Sequence, residues 1–114
     1  MDLMEYFFDM VFKDFEHQDR IYLNKLNYLA TYNCVGVEGA SAYYDESEED
    51  YKEGYITIDL YNPAPVEKIF YIENKKFYDK LRSLCLEHIK CKPEDKDEIN
   101  ICLNKIKENL NVIV

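Results

Sequence analysis

Residues 55–61 read Tyr-Ile-Thr-Ile-Asp-Leu-Tyr, with Ile56, Ile58 and Leu60 alternating against Tyr55, Thr57, Asp59 and Tyr61. A period of two belongs to a strand with one apolar face. The segments at both ends of the chain carry the helical period instead. Leu3, Tyr6/Phe7, Met10/Val11 and Asp14/Phe15 recur along residues 2–15, and Phe8 and Phe12 widen that stripe. Ile21, Tyr22, Leu26, Leu29 and Ala30 do the same along residues 19–32. Asp19 places negative charge near the start of this second helix, and Asn33-Cys34-Val35-Gly36 ends it. Between the helical segments lie two more strand-like stretches. Residues 35–44 are rich in small and aromatic residues with no helical period, and Gly36 or Gly39 marks a bulge or a close backbone approach. Residues 66–72 set Val66, Lys68, Phe70 and Ile72 against Glu67, Ile69 and Tyr71, after a turn at Asn62-Pro63-Ala64-Pro65.

The last third is helical again. Asn74 is placed to cap a helix whose face is Phe77, Leu81, Leu84/Cys85 and His88/Ile89. Pro93 followed by Glu94 and Asp95 restarts a second one, with Ile99, Cys102/Leu103, Ile106 and Leu110 as its stripe. Their short connection predicts an antiparallel hairpin. The expected fold is therefore α+β, in the order α-α-β-β-β-α-α. It has a three-stranded antiparallel meander with helices packed mainly on one face. A chain of this mass buries about two-thirds of its unfolded surface, enough for one core, so residues 1–114 are expected to form a single domain.

Charge narrows the partners. Acids outnumber bases 23 to 14, for a net charge of −9, and such a chain repels phosphate backbones and anionic membranes alike. A basic protein is the complementary partner, although acidity also serves solubility alone. The charge is concentrated. Residues 37–60 hold eight acids (Glu38, Asp45, Glu46, Glu48, Glu49, Asp50, Glu53, Asp59) and one base, Lys52. The opening Met1-Asp2-Leu3-Met4-Glu5 lacks a basic leader, and no stretch reaches transmembrane length, so a cytoplasmic protein is expected. Its four cysteines, Cys34, Cys85, Cys91 and Cys102, are then expected to be reduced and buried.

Catalytic and metal signatures are thin. No Gly-x-Ser-x-Gly elbow, Walker loop or dinucleotide fingerprint occurs, so no enzyme activity and no cofactor is implied. Cys85, His88 and Cys91 have ligand chemistry, but all three sit on one helix, spread over about 120° of its circumference. Structural zinc prefers tight pairs on turns, and packing accounts for Cys85. An EF-hand starting at Asp45 needs Gly at position six and Glu at twelve, where Asp50 and Ile56 stand.

The acidic loop itself has two readings, a solvated hairpin tip and an electrostatic docking surface. Tyrosines surround it, and tyrosine offers large contact area at low entropic cost. The candidate partner-binding set is Tyr43, Tyr44, Asp45, Glu46, Glu48, Glu49, Asp50, Tyr51, Glu53, Tyr55, Asp59 and Tyr61. If the helices cover the Ile56 face, then Tyr55, Thr57, Asp59 and Tyr61 face solvent or a partner.

The stretch Gly36-Val37-Glu38-Gly39-Ala40-Ser41-Ala42-Tyr43-Tyr44-Asp45 with its acidic tip resembles the middle of immunity proteins from contact-dependent growth inhibition systems. Phe77-Tyr78-Asp79-Lys80-Leu81, Cys85 and Pro93-Glu94-Asp95-Lys96-Asp97-Glu98-Ile99 are similar to their closing helical hairpin. The resemblance spans residues 36–110. It implies a bacterial, non-catalytic protein that binds a cognate toxin, commonly a nuclease with a basic cleft. It carries over no binding residue by motif. The competing reading is an acidic nucleic-acid mimic or adaptor that binds a basic cellular protein.

Overall fold

The computed structural model describes residues 2–17, 19–44, 47–60 and 68–112. Among these, the order is α1 (Leu3–Val11), α2 (Leu23–Tyr32), β1 (Cys34–Val37), β2 (Ala40–Tyr43), β3 (Tyr55–Leu60), β4 (Lys68–Glu73), α3 (Asn74–Cys91) and α4 (Lys96–Asn109). A short 3-10 turn, Pro93–Asp95, joins the last two helices. The strands form one antiparallel sheet in the order β1-β2-β3-β4. The α+β meander is thus present, with four strands where three were expected. The extra strand comes from residues 35–44, which fold as a hairpin and not as one strand. Val37 pairs with Ala40 across Glu38-Gly39, and Gly39 has φ 93°. Glycine enters that region without the Cβ penalty, so the chain reverses there. Gly36 serves a close approach, since a Cβ on it would lie 2.9 Å from the Ala40 carbonyl oxygen. The expected turn at 62–65 lies outside the described residues, as do Val66 and Glu67.

The first two helices are shorter than their hydrophobic stripes predicted. α1 stops at Val11, and Asp2 caps its start by accepting from the Met4 and Glu5 amides at 2.9 and 3.3 Å. Beyond it the Asp14 carboxylate accepts from the Glu16 and His17 amides, a local turn that competes with helix continuation. Lys13 and Ile21 then bridge antiparallel, and the Phe12 carbonyl accepts from the Tyr22 amide at 2.8 Å. Phe15 is left 87 % exposed, outside the stripe. α2 starts at Leu23, so Asp19 is not at its N-terminus; it accepts instead from the Cys91 thiol at 2.7 Å. Asn33 ends α2 in the left-handed region, φ 61°. Asn74 is not a cap either. It is the first residue of α3, and its side-chain amide donates to the Leu110 carbonyl at 3.1 Å. That bond ties the start of α3 to the end of α4, as an antiparallel hairpin requires.

One face of the sheet is inner. Val35, Ala40, Ala42, Ile56, Ile58, Leu60 and Ile72 project from it into the core. α1 and α3 pack on the sheet, α2 lies beside β1, and α4 packs against α2 and α3. Phe7, Phe8, Phe12 and Phe77 are each fully buried, with ring centroids 5.0–6.5 Å apart. Burying each such ring contributes about 1.5–3 kcal/mol.

Candidate functional site

The pleat sends Ser41, Tyr43, Tyr55, Thr57, Asp59, Ile69 and Tyr71 to the outer face of the sheet. The register places Thr57 between Tyr43 and Tyr71, and Asp59 between Ser41 and Ile69. Thr57 and Asp59 were expected to face solvent or a partner; on the outer face of the free chain they are only 1 % and 6 % exposed. For Thr57 the reason is the acidic loop. Thr57 Oγ1 and the Tyr71 hydroxyl both donate to the Asp50 carbonyl, each at 3.1 Å. The described part of the loop is therefore fastened to the outer face at Asp50. Asn74 N–H donates to the Gly54 carbonyl at 3.0 Å and fastens the far end of the loop to the start of α3.

This anchoring holds carboxylates outward. Glu48, Glu49 and Glu53 are exposed and Asp50 is half-buried. No ion pair among the described residues engages any of the four. Lys52, amid these acids, lies over the rings of Tyr55 and Tyr71, 4.4 and 5.3 Å from their centroids. Tyr51 and Tyr55 are half-buried beside a groove of about 630 Å³ that Glu53 also lines.

The remaining candidates scatter. Tyr43 is half-buried on the outer face. Tyr44, just past β2, turns its hydroxyl inward to donate to the Leu29 carbonyl at 2.9 Å, and accepts from Asn109 Nδ2 at 3.4 Å. Burial there raises the phenol above its ordinary value of 10.0. Asp59 is buried in the central strand, and its Oδ1 has no hydrogen-bond partner among the described residues. Asp45, Glu46 and Tyr61 lie outside the described residues. The structure thus brings Glu48, Glu49, Asp50, Tyr51, Glu53 and Tyr55 together. It adds Lys52, Tyr71 and Glu73, which sequence reasoning did not select. Tyr71 alternates correctly in its strand, but only the register shows that it meets Thr57 and Tyr55.

The cysteine and histidine cluster on α3 has other employment. His88 Nδ1 accepts from the Ile21 amide at 3.0 Å, so its Nε2–H donates to Asp95 Oδ2 at 2.7 Å. Both ring nitrogens are engaged, and the bonds join the α1–α2 connection to the turn before α4. The Cys91 thiol donates to Asp19, which holds that carboxyl below its ordinary value and the thiol above its own. Cys85 is buried, and desolvation pushes its thiol up to about 12. All four cysteines are free, but Cys34 and Cys91 are exposed where burial was expected. Among the described residues, no group of three or more His, Cys, Asp or Glu is arranged to hold a metal ion. No helix among them is long and apolar enough to cross a membrane.

Comparison with curated proteins and with solved structures finds no match. A model of the CDI immunity protein family, where CDI is contact-dependent growth inhibition, matches residues 1–103 of the 114, and the chain belongs to that family.

Proposed function

We propose that this protein binds a cognate nuclease toxin, a ribonuclease by preference, and blocks its basic substrate cleft or a neighbouring exosite. Family membership supports immunity against a toxin. The observation that carries the finer reading is the anchored acidic loop. Glu48, Glu49, Asp50 and Glu53 are held on the outer face with no cation paired to them among the described residues. A ribonuclease presents Lys, Arg and His around its scissile phosphate, and these acids match that charge. Complementary charge speeds capture, which counts when one free nuclease molecule is lethal. Tyr51 and Tyr55 at the loop's base supply the apolar area that slows release. The inhibitor contributes no reacting group. Of the other candidates, Tyr43 on the outer face extends this proposed surface and Asp45 and Glu46 adjoin the loop in sequence, whereas Tyr44 turns its hydroxyl inward, Asp59 is buried, and Tyr61 lies outside the described residues.

The test is co-expression with the product of the adjacent upstream reading frame. Co-purification of a 1:1 complex that survives high salt, with suppressed nuclease activity, is expected. Changing Glu46, Glu48, Glu49 and Asp50 to Lys should weaken the complex by at least a hundredfold while the free variant stays folded. A complex that tolerates this reversal would place the toxin on another face. A partner without nuclease activity would overturn the nuclease reading, and a salt-labile mixture of basic proteins would point to a general nucleic-acid mimic.

A further inference from the structure

Three elements meet at the groove of about 630 Å³: the base of the acidic loop, the β4–α3 junction and the end of α4. Tyr51, Glu53, Tyr55, Glu73, Asn109 and Asn111 are among its walls. Two of these are carboxylates, and no ion pair among the described residues neutralises Glu53 or Glu73. Lys75, the base on the rim, is already held by Asp79 at 2.7 Å. The end of α4 adds the partial negative charge of a helix C-terminus. In sum the groove is electronegative and partly aromatic.

Tyr55, one wall of the groove, already holds a cation on its ring, although that cation, Lys52, and the second ring it covers, Tyr71, lie outside the groove's lining. Lys52 is the one base between residues 37 and 60, with Glu48, Glu49, Asp50 and Glu53 beside it in sequence. Its Nζ pairs with no carboxylate among the described residues. It sits on the faces of Tyr55 and Tyr71, whose rings meet edge to face at 6.4 Å. Glu73 is the direct cross-strand partner of Tyr55. The ring faces next to Glu73 thus already hold a cation drawn from the chain itself.

Resting on the proposal that the toxin docks on this face, we propose that the groove takes an arginine side chain of the toxin. Lys52 covers the Tyr55 and Tyr71 rings until that arginine displaces it. Arginine suits the site better than lysine. Its flat guanidinium stacks on a tyrosine ring while its fork bonds a carboxylate, and the groove offers both. A nuclease cleft built to grip phosphate supplies such arginines.

The first test needs no toxin. Nα-acetyl-arginine amide is titrated into the whole chain, and tyrosine-ring and backbone NMR signals are followed in wild type and in Lys52→Met. Saturable shifts at Tyr55, Tyr71 and Glu73 are expected, with roughly millimolar affinity, and at least threefold tighter in Lys52→Met. The pair Glu53→Gln/Glu73→Gln should abolish them. Absence of saturable shifts in both proteins, or shifts that survive the double Gln variant, overturns the proposal. A lysine amide that binds as tightly as arginine overturns the choice of arginine. The second test uses the toxin. Lys52→Met should slow dissociation, and the double Gln variant should speed it about tenfold. A toxin that binds wild type, Lys52→Met and the double Gln variant equally overturns the groove and leaves immunity standing. A toxin that does not bind at all overturns the functional reading, and the arginine titration still decides the groove.

Discussion

Ile56, Ile58 and Leu60 on the inner face of β3 lie in the apolar core, whereas Thr57 and Asp59 on its outer face are almost as buried but polar. The inner face follows from the hydrophobic effect alone. Helices bring phenylalanine rings to it, and area removed from water sets the gain. The outer face is organised by hydrogen bonds. Thr57 and Tyr71 hold the backbone of a loop whose side chains repel one another, and Lys52 is drawn to the rings below. The comparison teaches that the two faces answer to different demands. One face contributes most of the stability, while the other holds charge in a fixed place and is the proposed docking surface.

Deleting a ring from the core gives the largest expected effect. Phe77→Ala should cost about 3–5 kcal/mol in urea unfolding, with toxin affinity per folded molecule unchanged. A loss of affinity without loss of stability would break the division between the faces. Alkaline pH comes next. Burial raises the Cys85 thiol from 9.0 to about 12, so the unfolded chain releases that proton at lower pH than the folded one. The contribution is whole below pH 9 and falls by about 1.4 kcal/mol per unit up to pH 12. Thiol labelling should accordingly reach exposed Cys34 at once and Cys85 only on unfolding.

The outer face has smaller effects. Thr57→Val removes one of the two donors to the Asp50 carbonyl and should cost about 1 kcal/mol. Faster hydrogen exchange confined to residues 48–54 would show that the loop has loosened. If exchange rises across the helices instead, the two faces are one cooperative unit. Asp59→Asn should be neutral or stabilising by up to about 1 kcal/mol, since its buried Oδ1 has no partner among the described residues and an unsatisfied buried carboxylate oxygen costs stability. A variant that is more stable and binds toxin more weakly would assign Asp59 to the partner. A clear loss of stability would mean that Asp59 serves the fold.

Much of the fold was legible because it is local. The period of two in residues 55–60 and the stripes of α3 and α4 each name a face; burial follows the two helical stripes closely, while in β3 the inner face is buried as named and Thr57 and Asp59 are buried as well. Helix ends were less legible. The Asp14 turn and the Asp19–Cys91 bond draw on partners that periodicity does not register. The hairpin at Glu38-Gly39 was hidden because four-residue strands are too short to show alternation.

The amino-acid sequence by itself determined the α+β order, the inner apolar face and the concentration of acid between residues 37 and 60. These depend on neighbours along the chain and on side-chain chemistry. Only the tertiary structure decided that the acidic loop is fastened to the sheet at Asp50, that Thr57 is buried beneath it, and that Glu73 and α4 close a groove against its base. Those contacts join residues far apart in the chain. They depend on strand register and helix packing, and no local pattern of residues encodes either.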